Sequence, residues 1–406
     1  MIAATRRASA EGRTLSRDLL LVTAFGLGLR VLFLLVEPRA EPMGDEPSWI
    51  ALGVDGLATL RRPLSPFKSS LIFYPPAYPY VIGTAFYVSG GLTAVKWLQA
   101  IAGALLVTAV GRIGTQAFSP REGLVAATIT AVYPDLIWFS THFWSETLFI
   151  VLTWWGLERV LAADTEGRWT AAATGGLLWG LAILTRETAL YFTPLVALWM
   201  VIGRGRPRAR HAGAFLLAAT LTVAPWTWRN WLVFHAFVPV STFGPLNLWL
   251  ANSSLPRDEV YRLSDSVEGP VAQYRLAWSK AKEAIRDRQP SWMLEKVRSE
   301  VPAFWKPESQ ALIHVENGAY GAVPPGTITA VRLLFVGAYV LVLALCARGM
   351  ARLRPGRAVA LLGLFVAYTL ALHVVAFASD RFRLPVMPAL FVIAAAGFSR
   401  RPSPND

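Results

Sequence analysis

Two adjacent carboxylates, Asp45 and Glu46 in the stretch EPMGDEPSW, stand just beyond an apolar run that ends near Val36. A third acid, Glu146, opens a later apolar run in STHFWSETLF. Basic residues occupy comparable positions: Lys68 before SSLIFYPPAYPY, Arg186 in LTRETALYFTP and Arg381 in SDRFRLPVMP. An ionised acid pair held close to lipid is costly unless water, a metal or a substrate hydroxyl uses it. The competing reading is a solvated acidic loop, in the company of Glu37, Glu41 and Asp55. Glu146 has two readings as well. A carboxylate at a helix N-terminus is favoured by the helix dipole, and a second acid beside the first could hold an acceptor hydroxyl or a cation. Arginine suits bidentate phosphate binding, so the basic groups could grip a lipid phosphate or could simply snorkel to headgroups. Arg30 lies within the first apolar run, where an arginine faces the bundle interior and pairs; Asp135 is the candidate partner.

The elements that must position these groups are membrane helices. Of 406 residues, 54% are hydrophobic and 16% charged, a balance too apolar for a soluble globular chain. Apolar runs of spanning length occur near 19–36, 94–111, 122–140, 146–163, 169–185, 188–203, 212–232, 326–346, 358–378 and 383–399, giving about ten spans. The first follows Arg6, Arg7, Arg13 and Arg17 but lacks a small-x-small cleavage site, so it reads as an uncleaved span with its N-terminus in the cytoplasm. Alternation then gathers Arg112, Arg121, Arg168, Arg204, Arg206, Arg208, Arg210, Arg348, Arg352, Arg354, Arg357, Arg400 and Arg401 on one face. That is the positive-inside pattern, so the net charge of +13 reports topology and not a nucleic-acid partner. Asp45, Glu46, Glu146, Arg186 and Arg381 all fall on the opposite, outer face.

The apolar segment 76–89 is short and contains Pro79, which predicts an interfacial or half-inserted outer helix. Residues 272–305 predict two amphipathic helices broken at Pro290. The chain therefore divides into a transmembrane module (1–232) with an outer loop at 38–93, an outer loop region (233–325) and C-terminal transmembrane helices (326–406). The lone Cys346 excludes an internal disulfide and a multi-cysteine metal site. His142, His235, His314 and His373 lack metal-ligand spacing, and no P-loop or dinucleotide fingerprint is present.

The order of several stretches resembles the polyprenyl-phosphate-sugar-dependent glycosyltransferases of the GT-C fold, in the family 39-like branch of protein O-mannosyltransferases and lipid A aminoarabinose transferases. They are GDEPSW, YPPAYPYVIGTAFY, VKWLQAIAGALLVTAVGRIGTQAFSPREG, YPDLIWFSTHFWSETLF, GLAILTRETALYFTP, VAPWTWRNWLVFHAFVPVSTFGPLNLWLANS and DRFRLPVMPALFVIAAA. The resemblance implies an all-α membrane enzyme with outer-face interfacial helices. It implies that Asp45 is the catalytic acid, Glu46 its companion, Glu146 a neighbouring acid and Arg381 a ligand of the lipid phosphate. Two departures stand out. Tyr74 precedes Pro75-Pro76 where the aminoarabinose transferases carry a phosphate-binding lysine, which makes Lys68 the candidate replacement. Trp49 stands where many members carry tyrosine.

The implied reaction is transfer of a sugar from a polyprenyl phosphate to an acceptor hydroxyl on a lipid, glycan or protein, at the outer face of the cytoplasmic membrane. Asp45 would act as general base and the anomeric configuration would invert. Arg381 with Lys68, Arg186 or Arg30 would hold the phosphate, Tyr74 and Trp49 would line the pocket, and Asn247 and Asn252 would form the acceptor-side wall. No metal is expected to be obligatory, with a divalent cation between the acids as the alternative. Rival classes are a multispanning secondary transporter or lipid flippase and an O-antigen ligase-like enzyme.

Overall fold

The computed structural model describes residues 2–37, 42–60, 73–202 and 209–399, and among these every regular element is helical. The long helices Ile2–Val36, Thr93–Ala117, Pro325–Met350 and Arg357–Val375 contain stretches long and apolar enough to cross a bilayer. A fifth span arises if the bent pair Pro120–Val132 and Pro134–Thr141 is taken together. The chain is thus a multi-pass membrane protein, and the segments near 146–163, 169–185, 188–203 and 212–232 also form helices: Glu146–Glu166, Trp169–Thr185, Thr188–Val201 and Ala209–Phe234. Leu20, Leu32, Leu217, Leu221, Trp228, Leu333 and Leu341 face outward on these elements, as lipid contact requires. Buried against one another are Trp154, Trp179, Phe192, Phe215 and Phe391, which form the interior of the bundle.

Two apolar runs break where proline intervenes. The run 122–140 bends by 59° at Tyr133-Pro134, since proline removes an amide donor and the residue before it disfavours the helical region. The last run opens with a 3-10 turn, Asp380–Val386, before the helix Met387–Ala396. That tighter turn sends Arg381 and Arg383 to different neighbours. Arg383 packs 3.9 Å from the Tyr339 ring and donates to the carbonyls of Phe304, Lys306 and Glu308, which ties the end of the helix Trp292–Trp305 and the segment after it to the start of the last apolar run.

The expected outer segments take helical form. Residues 76–89 give the helix Ala77–Ser89, packed on Glu46–Leu60, and the amphipathic pair is Pro270–Asp287 and Trp292–Trp305, separated around Pro290. The helix Phe243–Asn252 packs on Pro270–Asp287, with Trp249, Val260, Ala277 and Ala281 forming a separate small core.

Candidate active site

Gly44, in the left-handed region at φ 60, turns the chain so that the helix Glu46–Leu60 starts directly after Asp45. Pro47 costs this helix nothing, because amides of the first turn lack intrahelical partners. The two neighbouring acids then part company. Asp45 points into a cavity of about 300 Å³ and keeps 46% side-chain exposure. Glu46 is buried, and its two oxygens accept from the amides of Phe143 (2.7 Å) and Met43 (3.0 Å). Burial pushes its carboxyl above the ordinary range. Glu46 does not line the cavity. It latches the start of the helix Glu46–Leu60 to the turn that carries Trp144, Ser145 and Glu146, and Gln99 secures the same turn by donating to the His142 carbonyl at 2.7 Å. Substituting Glu46→Ala leaves a buried amide unsatisfied and is expected to cost about 1–3 kcal/mol, measured by thermal unfolding in detergent.

Glu146 occupies the first turn of Glu146–Glu166 and is 1% exposed. Arg186, at the C-cap of Trp169–Thr185, donates to it at 2.6 Å. Arg381, delivered by the 3-10 turn, donates to Glu146 through Nε and to Asp45 through a 2.7 Å contact from Nη1. Its guanidinium lies 3.8 Å from the Trp144 ring centroid, so stacking fixes the plane of the fork. The result is an alternating array, Asp45, Arg381, Glu146, Arg186, that joins four separate parts of the chain. Two cations and two carboxylates balance, which makes their burial together tolerable.

The array also decides how the acids could meet a metal. A guanidinium stands between Asp45 and Glu146, the position that a shared divalent cation would need, and among the described residues no three acid, histidine or cysteine side chains converge. The arrangement does not fit a metal held between these two acids.

Tyr74 and Trp49 lie in the cavity wall with ring centroids 4.8 Å apart, and Asn247 lines the same cavity. Asn252 does not reach the cavity: its amide donates to the carbonyls of Leu248 and Val375 and accepts from Trp292 Nε1, so it braces the outer helices. Arg30 is fully buried between helices, donating to the carbonyls of Gly26 (2.9 Å) and Ala131 (3.3 Å), and is not among the cavity residues. Asp135, its expected partner, accepts instead from Ser309 Oγ at 2.6 Å. Lys68 lies outside the described residues.

Sequence reading assigned no role to Glu187, Ser241 or Arg257, all of which line the cavity. The one signal available was adjacency, Glu187 following Arg186 in LTRETALYF. Burial pushes the Glu187 carboxyl up to about 7, against donors from Ser241 Oγ (2.7 Å) and the Gly244 amide. The folded protein therefore holds a proton on Glu187 that the unfolded chain has already lost, and the group costs stability as pH rises from about 4.5 to 7. Glu187→Gln is expected to raise the melting temperature by more at pH 8 than at pH 5, measured across that range.

A family model described as dolichyl-phosphate-mannose-protein mannosyltransferase matches residues 74–229. Among solved structures, the archaeal oligosaccharyltransferase AglB from Archaeoglobus fulgidus, in complex with an inhibitory peptide and a dolichol-phosphate, aligns with TM-score 0.57 and 14% identity over 95% of this chain and 50% of that one. Its apo form aligns with TM-score 0.57 over 94% and 50%. ArnT from Cupriavidus metallidurans, bound to undecaprenyl phosphate, gives TM-score 0.43 and 16% identity over 96% and 77%. No curated protein sequence matches the chain. The chain therefore shares the fold of the membrane part of the archaeal oligosaccharyltransferase structures it aligns with. The chain spans about half the length of the archaeal oligosaccharyltransferases it matches.

Proposed function

We propose that this protein is a glycosyltransferase of the cytoplasmic membrane, with a cytoplasmic N-terminus and an active site at the outer face. It takes a sugar from a polyprenyl-phosphate donor and transfers it to a hydroxyl of a lipid, glycan or protein. The observation that carries this reading is the Asp45–Arg381–Glu146–Arg186 array opening into a polar cavity. Sugar transfer from a lipid phosphate needs a base for the incoming hydroxyl and fixed cations for the departing phosphate, and these are the two kinds of group that the array presents. The family match over residues 74–229 and the dolichol-phosphate held by one structural relative support the same class of donor.

In this mechanism the acceptor oxygen attacks the anomeric carbon from the face opposite the phosphate. Its proton passes to Asp45, the most exposed carboxylate of the array, as the bond between that carbon and the phosphate oxygen breaks. The phosphate leaves with the electron pair and is met by Arg381 and Arg186, each contact contributing about 1.5–3 kcal/mol. A single displacement inverts the anomeric configuration. Glu146, buried between the two arginines, holds them in place and need not touch the sugar.

The test is release of polyprenyl phosphate from a panel of lipid-linked sugars by the purified protein in liposomes, supplied with cell-envelope acceptors. Sugar-dependent release supports the reading, and no release with any donor overturns it. Because Arg381 stands between the acids, turnover is expected to survive exhaustive chelation. Loss on chelation with recovery on adding manganese or magnesium would overturn the metal-independent mechanism.

A further inference from the structure

We propose that Glu187 selects the donor sugar, its carboxylate accepting hydrogen bonds from ring hydroxyls and turning away sugars that carry an acid group. The inference rests on the donor reading above and adds the class of sugar: neutral and polyhydroxylated.

Position comes first. Glu187 directly follows Arg186, so its Cα lies about 3.8 Å from that of a residue assigned to the phosphate. A sugar ring bonded to a phosphate at Arg186 and Arg381 would extend into the cavity that Glu187 lines. Glu187 lines this cavity together with Asn247 and with Ser241, from which it accepts, whereas Asp45 and Glu146 pair with Arg381.

Capacity follows from counting. Above about pH 7 the Glu187 carboxyl is ionised and offers about four lone-pair sites, of which Ser241 Oγ and the Gly244 amide use two. Both partners are neutral, and among the described residues Glu187 has no ion pair of the kind that holds Glu146, which leaves it acceptor sites for hydroxyl donors in the cavity it lines.

The protein also holds this group in place from several sides. Gly244 permits a close approach: a Cβ there would come 2.3 Å from Glu187 Oε1. Residues 238–241 are strapped to the helix Ala209–Phe234, with Trp226 Nε1 donating to Val240 (2.7 Å), Thr227 Oγ1 to Pro239 (2.8 Å) and Asn230 Nδ2 to Val238 (2.9 Å). Ser241 is thereby fixed, and with it the carboxylate. Burial that raises the Glu187 carboxyl to about 7 makes the residue costly to keep, as expected of a group retained for binding.

The experiment measures binding to the full-length protein in nanodiscs at about pH 8, where Glu187 is ionised, by quenching of tryptophan fluorescence, for bare polyprenyl phosphate and its mannosyl, arabinosyl and glucuronosyl derivatives. Wild type should bind the two neutral sugar lipids more tightly than the glucuronosyl one. Glu187→Gln should weaken the neutral sugar lipids about tenfold, narrow the gap to the glucuronosyl lipid and leave bare polyprenyl phosphate unchanged. Gly244→Ala, which keeps the carboxylate but displaces it, should lose the same preference. Equal loss for bare and sugar-bearing lipids would show a structural role and overturn the inference, as would unchanged sugar preference or a change confined to the acceptor KM. If wild type does not bind even bare polyprenyl phosphate, the donor reading fails and this inference falls with it.

Discussion

Asp45→Asn is expected to lower sugar-dependent release of polyprenyl phosphate by about 10²–10⁴-fold, the range lost when a positioned general base is removed. The substitution keeps the shape and an oxygen that can accept from Arg381, so the protein should remain folded and still bind the donor. This matters because Asp45 is the more exposed end of the array: its side chain is 46% exposed, against 1% for Glu146. A residue so placed contributes little to stability as an ion pair, and a large loss of turnover with an unchanged melting temperature would assign it to chemistry. Release unchanged in Asp45→Asn would remove it as the base.

Arg381→Ala should produce the second large effect, on stability and turnover together. Removing one partner of a buried ionic array costs about 3–5 kcal/mol, with the lower end expected here because Arg186 still holds Glu146. Turnover should also fall, because the departing phosphate loses a fixed cation. The double variant Arg381→Ala/Glu146→Gln separates the two effects. It removes the stranded charge and should recover most of the melting temperature, since deleting both partners of a buried pair is far cheaper than deleting one. Turnover should not recover. Arg381→Lys should be defective as well, because a single ammonium cannot reproduce the fork that spans Asp45 and Glu146 above Trp144. Full turnover in Arg381→Lys would show that only net charge is needed at this position.

Much of the architecture was legible in the chain because membrane helices write their length and polarity into continuous apolar runs. The helix at Ala77–Ser89 and the pair of helices flanking Pro290 could be read in the same way. The break at Pro134 was missed for a physical reason: hydropathy sums over a run and is blind to one missing amide within it. Glu46 looked equivalent to Asp45 because adjacency in sequence says nothing about direction. Gly44 and the first helical turn send one acid to the cavity and the other to the Phe143 amide. Arg30 was correctly placed inside the bundle but given a lipid-phosphate role, while in the fold it is not among the cavity residues and donates through Nη1 to the helix carbonyls of Gly26 and Ala131.

By itself, then, the sequence determined that the chain enters a membrane repeatedly and where its acids and bases stand relative to the apolar runs. Those properties are sums over local segments, and the bilayer acts on each segment separately. The tertiary structure decided which of these charges meet. Asp45, Glu146, Arg186 and Arg381 are separated by up to 336 positions and become neighbours only when the 3-10 turn Asp380–Val386 packs against the starts of two other helices. It also decided that Glu187 shares their cavity, because a carboxylate's role depends on what surrounds it, and that surrounding is assembled from distant segments of the chain.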